Sequence, residues 1–146
     1  MENPTNKQNL TEEDIKNRCI TPAINRAGWR NEEFFMEYKI QQKITDGKIN
    51  IKGNKASREK PKFADYVLYY EDNYPIAIIE AKDNTHTPSY GLQQAMDYAE
   101  KLDIPFAYSS NGDRFVEHDY LTGTETELSL NEFPTKDQLI KRLADY

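Results

Sequence analysis

The sequence predicts an α/β fold in which helices flank a mixed central sheet. Three observations support this prediction: the chain length, the order of the predicted elements and one strand that is apolar on both faces. A chain of 146 residues is long enough to bury a two- or three-layer core as a single domain. As far as residue 109, the longer predicted elements follow the order α-β-β-β-α-β, and residues 76–79 (Ile-Ala-Ile-Ile) are typical of a central strand. Helices packed on such a sheet would cover its apolar faces.

The N-terminal segment divides into a polar start and a helix. Residues 1–10 are expected to form a disordered tail, and residues 11–146 a single domain. The helix begins at Thr11, because Thr11 and Asp14 have the spacing of a capping box, with Asp in place of the usual Glu or Gln. Apolar residues then recur every four positions, which is typical of a helix with one buried face.

Proline and glycine are expected to shape the end of this helix. Pro22 should kink the helix or restart it, with Thr21 as a second N-cap and Pro22 as the first helical residue. Gly28 should end it, since glycine readily takes the left-handed conformation that follows many helices. Cys19 lies in the apolar stripe, so we interpret it as a core residue and not as a nucleophile.

Four strands are predicted in the first half of the domain. Residues 34–40 form the first, and a turn at Asp46-Gly47 leads into a short strand at residues 48–51. Residues 64–70 and 75–81 form two longer strands, which a tight acidic turn joins. If these two strands pair as a hairpin, the start of one lies beside the end of the other.

The second half alternates between helix and strand. A helix is predicted at residues 89–102, because its apolar residues share one face. Strands follow at residues 104–109 and 115–118, and a closing helix at residues 136–144.

Composition limits the possible classes of function. No apolar run approaches the roughly 20 residues that cross a bilayer, and the polar start lacks a signal peptide, so the cytoplasm is the expected compartment. The single cysteine excludes a disulfide framework and a thiolate metal cluster. The formal net charge of -6 is unusual for a protein that binds nucleic acid, because Lys and Arg normally supply the phosphate contacts. Either the acidic residues surround a metal, or another polypeptide holds the nucleic acid.

Two carboxylates and a lysine mark a candidate catalytic site. Glu80 and Lys82 stand two apart at the end of the apolar strand, which places both on one face, and Asp65 opens the neighbouring strand. Carboxylates bind Mg²⁺, which polarises phosphoryl oxygens and acidifies bound water. A nearby lysine can orient the attacking water and offset developing charge. The alternative is purely structural, because a lysine beside two carboxylates is also stable without a metal.

A second candidate feature lies on the next helix. Gln94 and Tyr98 are four residues apart and therefore share a face, which flanks the apolar stripe of the helix. A solvated glutamine beside a half-buried tyrosine would give the same pattern.

These motifs together resemble those of a known enzyme family. Ala64-Asp65, Glu80-Ala81-Lys82 and Gln94-x-x-x-Tyr98 resemble the PD-(D/E)xK nuclease superfamily, and more narrowly the N-terminal endonuclease region of type I restriction enzyme R (HsdR) subunits. Ala64 departs from the proline of the superfamily name. The likeness extends over residues 11–143 and includes three further runs, at residues 22–29, 64–70 and 104–112.

The resemblance implies a restriction-endonuclease-like fold and roles for individual residues. Asp65 and Glu80 would bind Mg²⁺, for which Mn²⁺ could substitute, and Glu12 would be a further metal ligand. Lys82 would be the catalytic lysine, with Gln94 and Tyr98 supporting cleavage.

The resemblance also implies a substrate and partners. The substrate would be double-stranded DNA, and the partners the remaining regions of the R subunit with the methylation and specificity subunits. ATP would act only through a translocase outside this chain, because no Gly-x-x-x-x-Gly-Lys-[Ser/Thr] phosphate loop occurs here.

Some interpretations stay open. The basic loop before Asp65 could contact DNA phosphates or could simply be solvated. A nuclease fold that only docks the R subunit to its partners is one alternative function, and another nuclease of the superfamily, such as a junction resolvase, is a second. The DNA-binding candidates in the loop are Lys55, Arg58, Lys60 and Lys62.

Overall fold

The computed structural model describes residues 6–40 and 61–146, in which a six-stranded mixed sheet forms the centre. The strands lie side by side in chain order, and only β3 and β4 run parallel. The predicted α/β fold with a mixed sheet flanked by helices is therefore confirmed. The strands are β1 (Phe34–Ile40), β2 (Lys62–Glu71), β3 (Tyr74–Ala81), β4 (Phe106–Ser110), β5 (Arg114–Asp119) and β6 (Thr124–Ser129).

Helices cover both faces of the sheet. The N-terminal helical segment and the C-terminal helix pack on one face, while a single helix packs on the other. The longer helices each bury an apolar stripe, which is the usual source of helix stability in a layered domain. The helices are α1 (Glu12–Ile15), α2 (Thr21–Arg26), α3 (Leu92–Leu102) and α4 (Lys136–Asp145), with a π-helical turn (Lys16–Ile20) between α1 and α2.

Alternation along the strands supplies the two apolar faces. In β2, Tyr66 and Leu68 belong to the core beneath the N-terminal helices, whereas Val67 belongs to the core beneath α3. Every residue of β3 from Ile76 to Ala81 is buried, as expected for a strand with neighbours on both sides. Glu80 is therefore held inside the molecule by a strand whose other side chains are apolar or small.

The N-terminal helix starts as predicted and continues differently. The capping box of Thr11 and Asp14 is confirmed: each side chain accepts a hydrogen bond from the main-chain N–H of the other residue. The helix does not break before Pro22, because a π-helical turn leads directly into α2. The expected second N-cap is wrong. Thr21 is itself helical, and its hydroxyl pairs with the Tyr66 hydroxyl at 2.7 Å.

Three further differences concern element boundaries. β6 was not predicted, because four of its six residues are exposed and it lacks apolar alternation. Helix α3 begins at Leu92 and not at residue 89, since residues 89–91 form a turn before it. The first strand after that helix begins after Pro105, at Phe106. The predicted short strand at residues 48–51 lies outside the described residues.

Part of the expected N-terminal tail contacts the domain. The Lys7 ammonium donates to the Gly112 carbonyl oxygen at 2.7 Å and pairs with Asp113 at 3.3 Å. Leu10 packs against the apolar core. These contacts attach residues 6–10 to the end of the sheet, while residues 1–5 lie outside the described residues. Among the described helices, none has the length and apolar character needed to cross a bilayer.

The C-terminal helix is fastened to the sheet by a buried ion cluster. Arg142 donates to both carboxylate oxygens of Glu117, at 3.0 and 2.7 Å, and to Asp119 at 2.7 Å. The Tyr108 hydroxyl donates to Glu117 at 2.5 Å, and the Arg142 guanidinium lies 4.6 Å from the centroid of the Phe106 ring. Both acidic side chains are buried, and Arg142, about a third exposed, is the positive charge that pairs with them.

Candidate functional site

Asp65 and Glu80 meet where β2 and β3 stop pairing through their main chains. The antiparallel register extends as far as the pair Tyr66–Ile79. Beyond it, the Asp65 N–H donates to Glu80 Oε2 at 2.8 Å, and the Ala81 N–H donates to Asp65 Oδ2 at 2.8 Å. Each carboxylate thus satisfies a main-chain N–H of the opposite strand. These crossed hydrogen bonds fix the two carboxylates beside each other.

Burial makes this pair of carboxylates electrostatically unfavourable. Only 3% of Glu80 is exposed, and burial, followed by the negative charge of Asp65, raises the pKa of Glu80 to about 8. Burial also raises the pKa of Asp65, although the hydrogen bond from the Ala81 N–H and the charge of Lys16 act in the opposite direction. A buried carboxylate beside a partly buried one favours either a shared proton or a bound cation.

The raised pKa of Glu80 predicts how stability depends on pH. The unfolded chain loses the Glu80 proton near pH 4.5, whereas the folded chain keeps it up to about pH 8. Stability from this group is therefore greatest below pH 4.5 and is lost as pH rises to about 8. We expect Glu80→Gln to raise the melting temperature in EDTA more at pH 8.5 than at pH 5. Thermal unfolding measures this, and the exposed control Glu127→Gln should not show it. Equal shifts at both pH values would contradict the raised pKa.

Lys82 follows the carboxylates and lies against the start of α3. The main-chain N–H of Lys82 donates to the Ser110 carbonyl oxygen at 2.9 Å, which continues the pairing of β3 with β4 by one residue. Its ammonium lies 5.8 Å from the centroid of the Tyr90 ring. A Cβ added to Gly91 would be only 3.2 Å from Lys82 Cγ, so the lysine stem occupies the space that a side chain would need. The Lys82 charge lowers the pKa of Glu80. Tyr90 and Gly91 were not identified from the sequence.

Gln94 and Tyr98 form a hydrogen-bonded pair on α3. Gln94 Nε2 donates to the Tyr98 hydroxyl at 2.7 Å. Tyr98 belongs to the same apolar cluster as Ala95 and Ala99, so it is buried and not half-buried at the flank of the apolar stripe. Its ring is long enough to reach the sheet from beside the alanine stripe. The Lys82 stem lies next to Gly91, and Gln94 is three residues after Gly91. Gln94 is therefore about one helical turn along α3 from the residue beside the lysine.

The structure leaves Glu12 outside the carboxylate pair. Glu12 is an exposed residue of α1, and its negative charge contributes to raising the pKa of Glu80. Within residues 6–40 and 61–146, no group of three or more His, Cys, Asp or Glu is placed to hold a metal ion. Asp65 and Glu80 still fit Mg²⁺, since this hard cation needs only one or two carboxylates and keeps several waters.

Sequence reasoning missed a buried lysine beside Asp65. Lys16 is only 4% exposed, and its ammonium lies 3.5 Å from Asp65 Oδ1 and 3.4 Å from Glu13 Oε2. It also forms a tight hydrogen-bonded ion pair with Glu37. One signal was available, because Lys16 is four residues before the buried Ile20 and therefore shares its helix face.

The basic loop is mostly beyond the described part of the chain. Lys55, Arg58 and Lys60 lie outside the described residues, so their proposed role in DNA binding stays a prediction. Lys62 is exposed and opens β2, where it stands opposite Ile40 of β1.

Comparisons with known proteins identify the family. The family model described as the N terminus of type I restriction enzyme R proteins (HSDR_N) matches residues 11–134. The chain is 40% identical over 138 residues to the Type I restriction enzyme EcoAI endonuclease subunit of Escherichia coli, covering 92% of this chain and 17% of that protein. The chain therefore spans about a sixth of the length of this relative.

A solved structure supports the same family. It is a fragment assigned to the HsdR subunit of a type I restriction enzyme from Vibrio vulnificus YJ016, with a TM-score of 0.77 and 42% identity. The match covers 93% of this chain and 26% of that one. With a family model that matches most of its length, the chain belongs to the family of type I restriction enzyme R protein N-terminal domains.

Proposed function

We propose that this chain is the Mg²⁺-dependent endonuclease domain of a type I restriction R subunit and cleaves phosphodiester bonds of duplex DNA. The observation that carries the proposal is the crossed pair of carboxylates, with Glu80 buried, Asp65 partly buried beside it and Lys82 two residues further on. A buried carboxylate beside a second negative charge is unfavourable unless positive charge compensates the pair. A divalent cation would supply positive charge and would also polarise a phosphoryl oxygen.

Each residue has a distinct part in this proposal. Asp65 and Glu80 would hold the cation, which when bound polarises a phosphoryl oxygen and makes its water more acidic. Lys82 orients the attacking water through its ammonium and offsets the negative charge that develops at the phosphoryl group. The stem of the lysine fills the space next to Gly91 that a side chain at that position would need. Gln94 and Tyr98 support this arrangement from the adjoining helix.

Other parts of the restriction enzyme would bring the DNA to this site. With a formal net charge of -6, this chain is poorly suited to binding a polyanion by itself. We therefore propose that the remaining regions of the R subunit, together with the methylation and specificity subunits, hold the duplex against the site. The basic loop at residues 52–62 is the segment of this chain most suited to contacting phosphates.

Calorimetry with Mn²⁺ tests the proposed metal site. We expect Asp65→Ala and Glu80→Ala each to weaken Mn²⁺ binding at least about tenfold, because each removes a negatively charged oxygen ligand. Lys82→Ala should retain binding, because a charged amine has no free lone pair to donate to a metal.

The control for this experiment is Asp119→Asn, which alters a buried carboxylate paired with Arg142. It should leave Mn²⁺ affinity unchanged even if it lowers stability. Equal weakening by Asp65→Ala, Glu80→Ala and Lys82→Ala would show that the variants disturb the fold and not a metal site. It would favour the docking module as the function of this domain.

A further inference from the structure

Lys16 is a buried cation whose partners are acidic. Its neighbours along the chain, Ile15 and Ile20, belong to the apolar core, and the lysine itself is only 4% exposed. A buried ammonium is unfavourable unless nearby groups compensate its charge. Three carboxylates do so in this structure: those of Glu13, Glu37 and Asp65.

Two irregularities of the main chain bring this cation to Asp65. Lys16 opens the π-helical turn, and such turns are often found at functional sites. Glu37 has a left-handed conformation with φ of 54°, which is strained for a residue with a side chain. The register of β1 and β2 places Glu37 opposite Asp65, between pairs that are regular. The π-helical turn and β1 thus bring Lys16 and Glu37 to the same side of Asp65.

The ammonium of Lys16 carries its full charge. Burial by itself would lower the pKa of Lys16, but the hydrogen bond with Glu37 and the negative charge of Asp65 raise it above its ordinary value. Asp65 Oδ2 is taken by the Ala81 N–H, while Asp65 Oδ1 faces the ammonium at 3.5 Å. The carboxylate oxygen that is free of main-chain hydrogen bonds therefore faces a permanent positive charge.

We propose that Lys16 is a built-in counter-ion of the candidate metal site, which stabilises Asp65 when no metal is bound and thereby lowers the affinity for a divalent cation. The inference rests on the proposed metal site. It differs from a purely structural role, in which the ion pair with Glu37 would only attach the N-terminal helix to β1. It also differs from a role in orienting Asp65 for the metal, because loss of the lysine would then weaken metal binding.

The test compares Mn²⁺ binding by the 146-residue chain and by Lys16→Met, with calorimetry and thermal unfolding. Removing one nearby positive charge should tighten Mn²⁺ binding about tenfold, a value within the range of charge interactions near a protein surface. The melting temperature of Lys16→Met should be lower than that of the parent in EDTA, and Mn²⁺ should raise it by more. Lys136→Met is the matched control, because Lys136 forms a similar ion pair with Glu33, not with Asp65. It should lose stability without a change in affinity.

A second variant should have the opposite effect, and it does not require replacement of the buried lysine. Glu37→Gln leaves Lys16 in place but removes the carboxylate that neutralises it, so Mn²⁺ binding should weaken severalfold. Glu37 is half exposed, so the variant should fold. Unchanged or weaker binding by Lys16→Met, or changes in the same direction in both variants, would overturn the counter-ion role alone. Absence of Asp65-dependent Mn²⁺ binding in the parent chain would overturn both this inference and the proposed function.

Discussion

Lys82→Ala is expected to remove DNA cleavage by the complete R subunit while ATP hydrolysis and translocation stay near normal. The lysine is two residues beyond Glu80, and its ammonium would offset charge that develops only during the reaction. Loss of one such group typically lowers kcat by about 10²–10³-fold. The chain contains no phosphate loop, so the two activities should occupy separate sites. Cleavage and ATPase assays on the subunit, assembled with the methylation and specificity subunits that we propose as its partners, measure both.

The matched control for Lys82 is Lys101→Ala, an exposed lysine in the last turn of α3. This substitution also removes one positive charge from the domain but should leave cleavage unchanged. Undiminished cleavage by Lys82→Ala would exclude the lysine from catalysis. Joint loss of cleavage and ATP hydrolysis would instead indicate that the domain serves as a docking module, because a side chain in this site should not otherwise affect a distant motor.

Arg142→Met is expected to cause the largest loss of stability, about 3 kcal/mol in the free energy of unfolding, the low end for a buried ion pair because the arginine is itself 36% exposed. The substitution keeps the stem of the side chain but leaves Glu117 and Asp119 buried without their positive partner. Removing one member of a buried ion cluster is costly because the remaining charges cannot return to water. Urea-induced unfolding of the metal-free chain measures the change.

The neighbouring lysine provides a control for Arg142. Lys141 pairs with Asp145 at 3.1 Å, but both side chains are well exposed. Lys141→Met should therefore lower the free energy of unfolding by less than about 1 kcal/mol. Similar losses in the two variants would show that the buried cluster around Glu117 contributes no more than a surface ion pair.

Local patterns were sufficient to predict most of the fold and the centre of the site. The apolar run in β3 predicted a central strand, and the two-residue period predicted that Glu80 and Lys82 share a face. The short turn after β2 predicted a hairpin, which the antiparallel pairing of β2 and β3 confirms. The central strand and the hairpin are confirmed, because each depends on residues that are close in sequence. The shared face of Glu80 and Lys82 stays a prediction, since β3 ends at Ala81.

Features that depend on distant residues were not predicted. Lys16 is 49 residues from Asp65, and its burial depends on how the N-terminal helix crosses the sheet. Gly91, the residue before α3, leaves the space that the Lys82 stem fills, and the two residues are nine positions apart. β6 forms because β5 offers an unpaired edge, and its own sequence is too polar to indicate a strand.

The hairpin that contains the carboxylates also determines how the site assembles. Asp65 and Glu80 are 15 residues apart, and the turn between their strands has only two residues, Asp72 and Asn73. Bringing them together costs little loop-closure entropy, whereas Lys16 must close a loop of 49 residues to reach Asp65. In terms of contact order, the contact between Asp65 and Glu80 is local, whereas the contact between Lys16 and Asp65 is long-range. A folding chain can therefore form the carboxylate pair before the charge that offsets it has arrived.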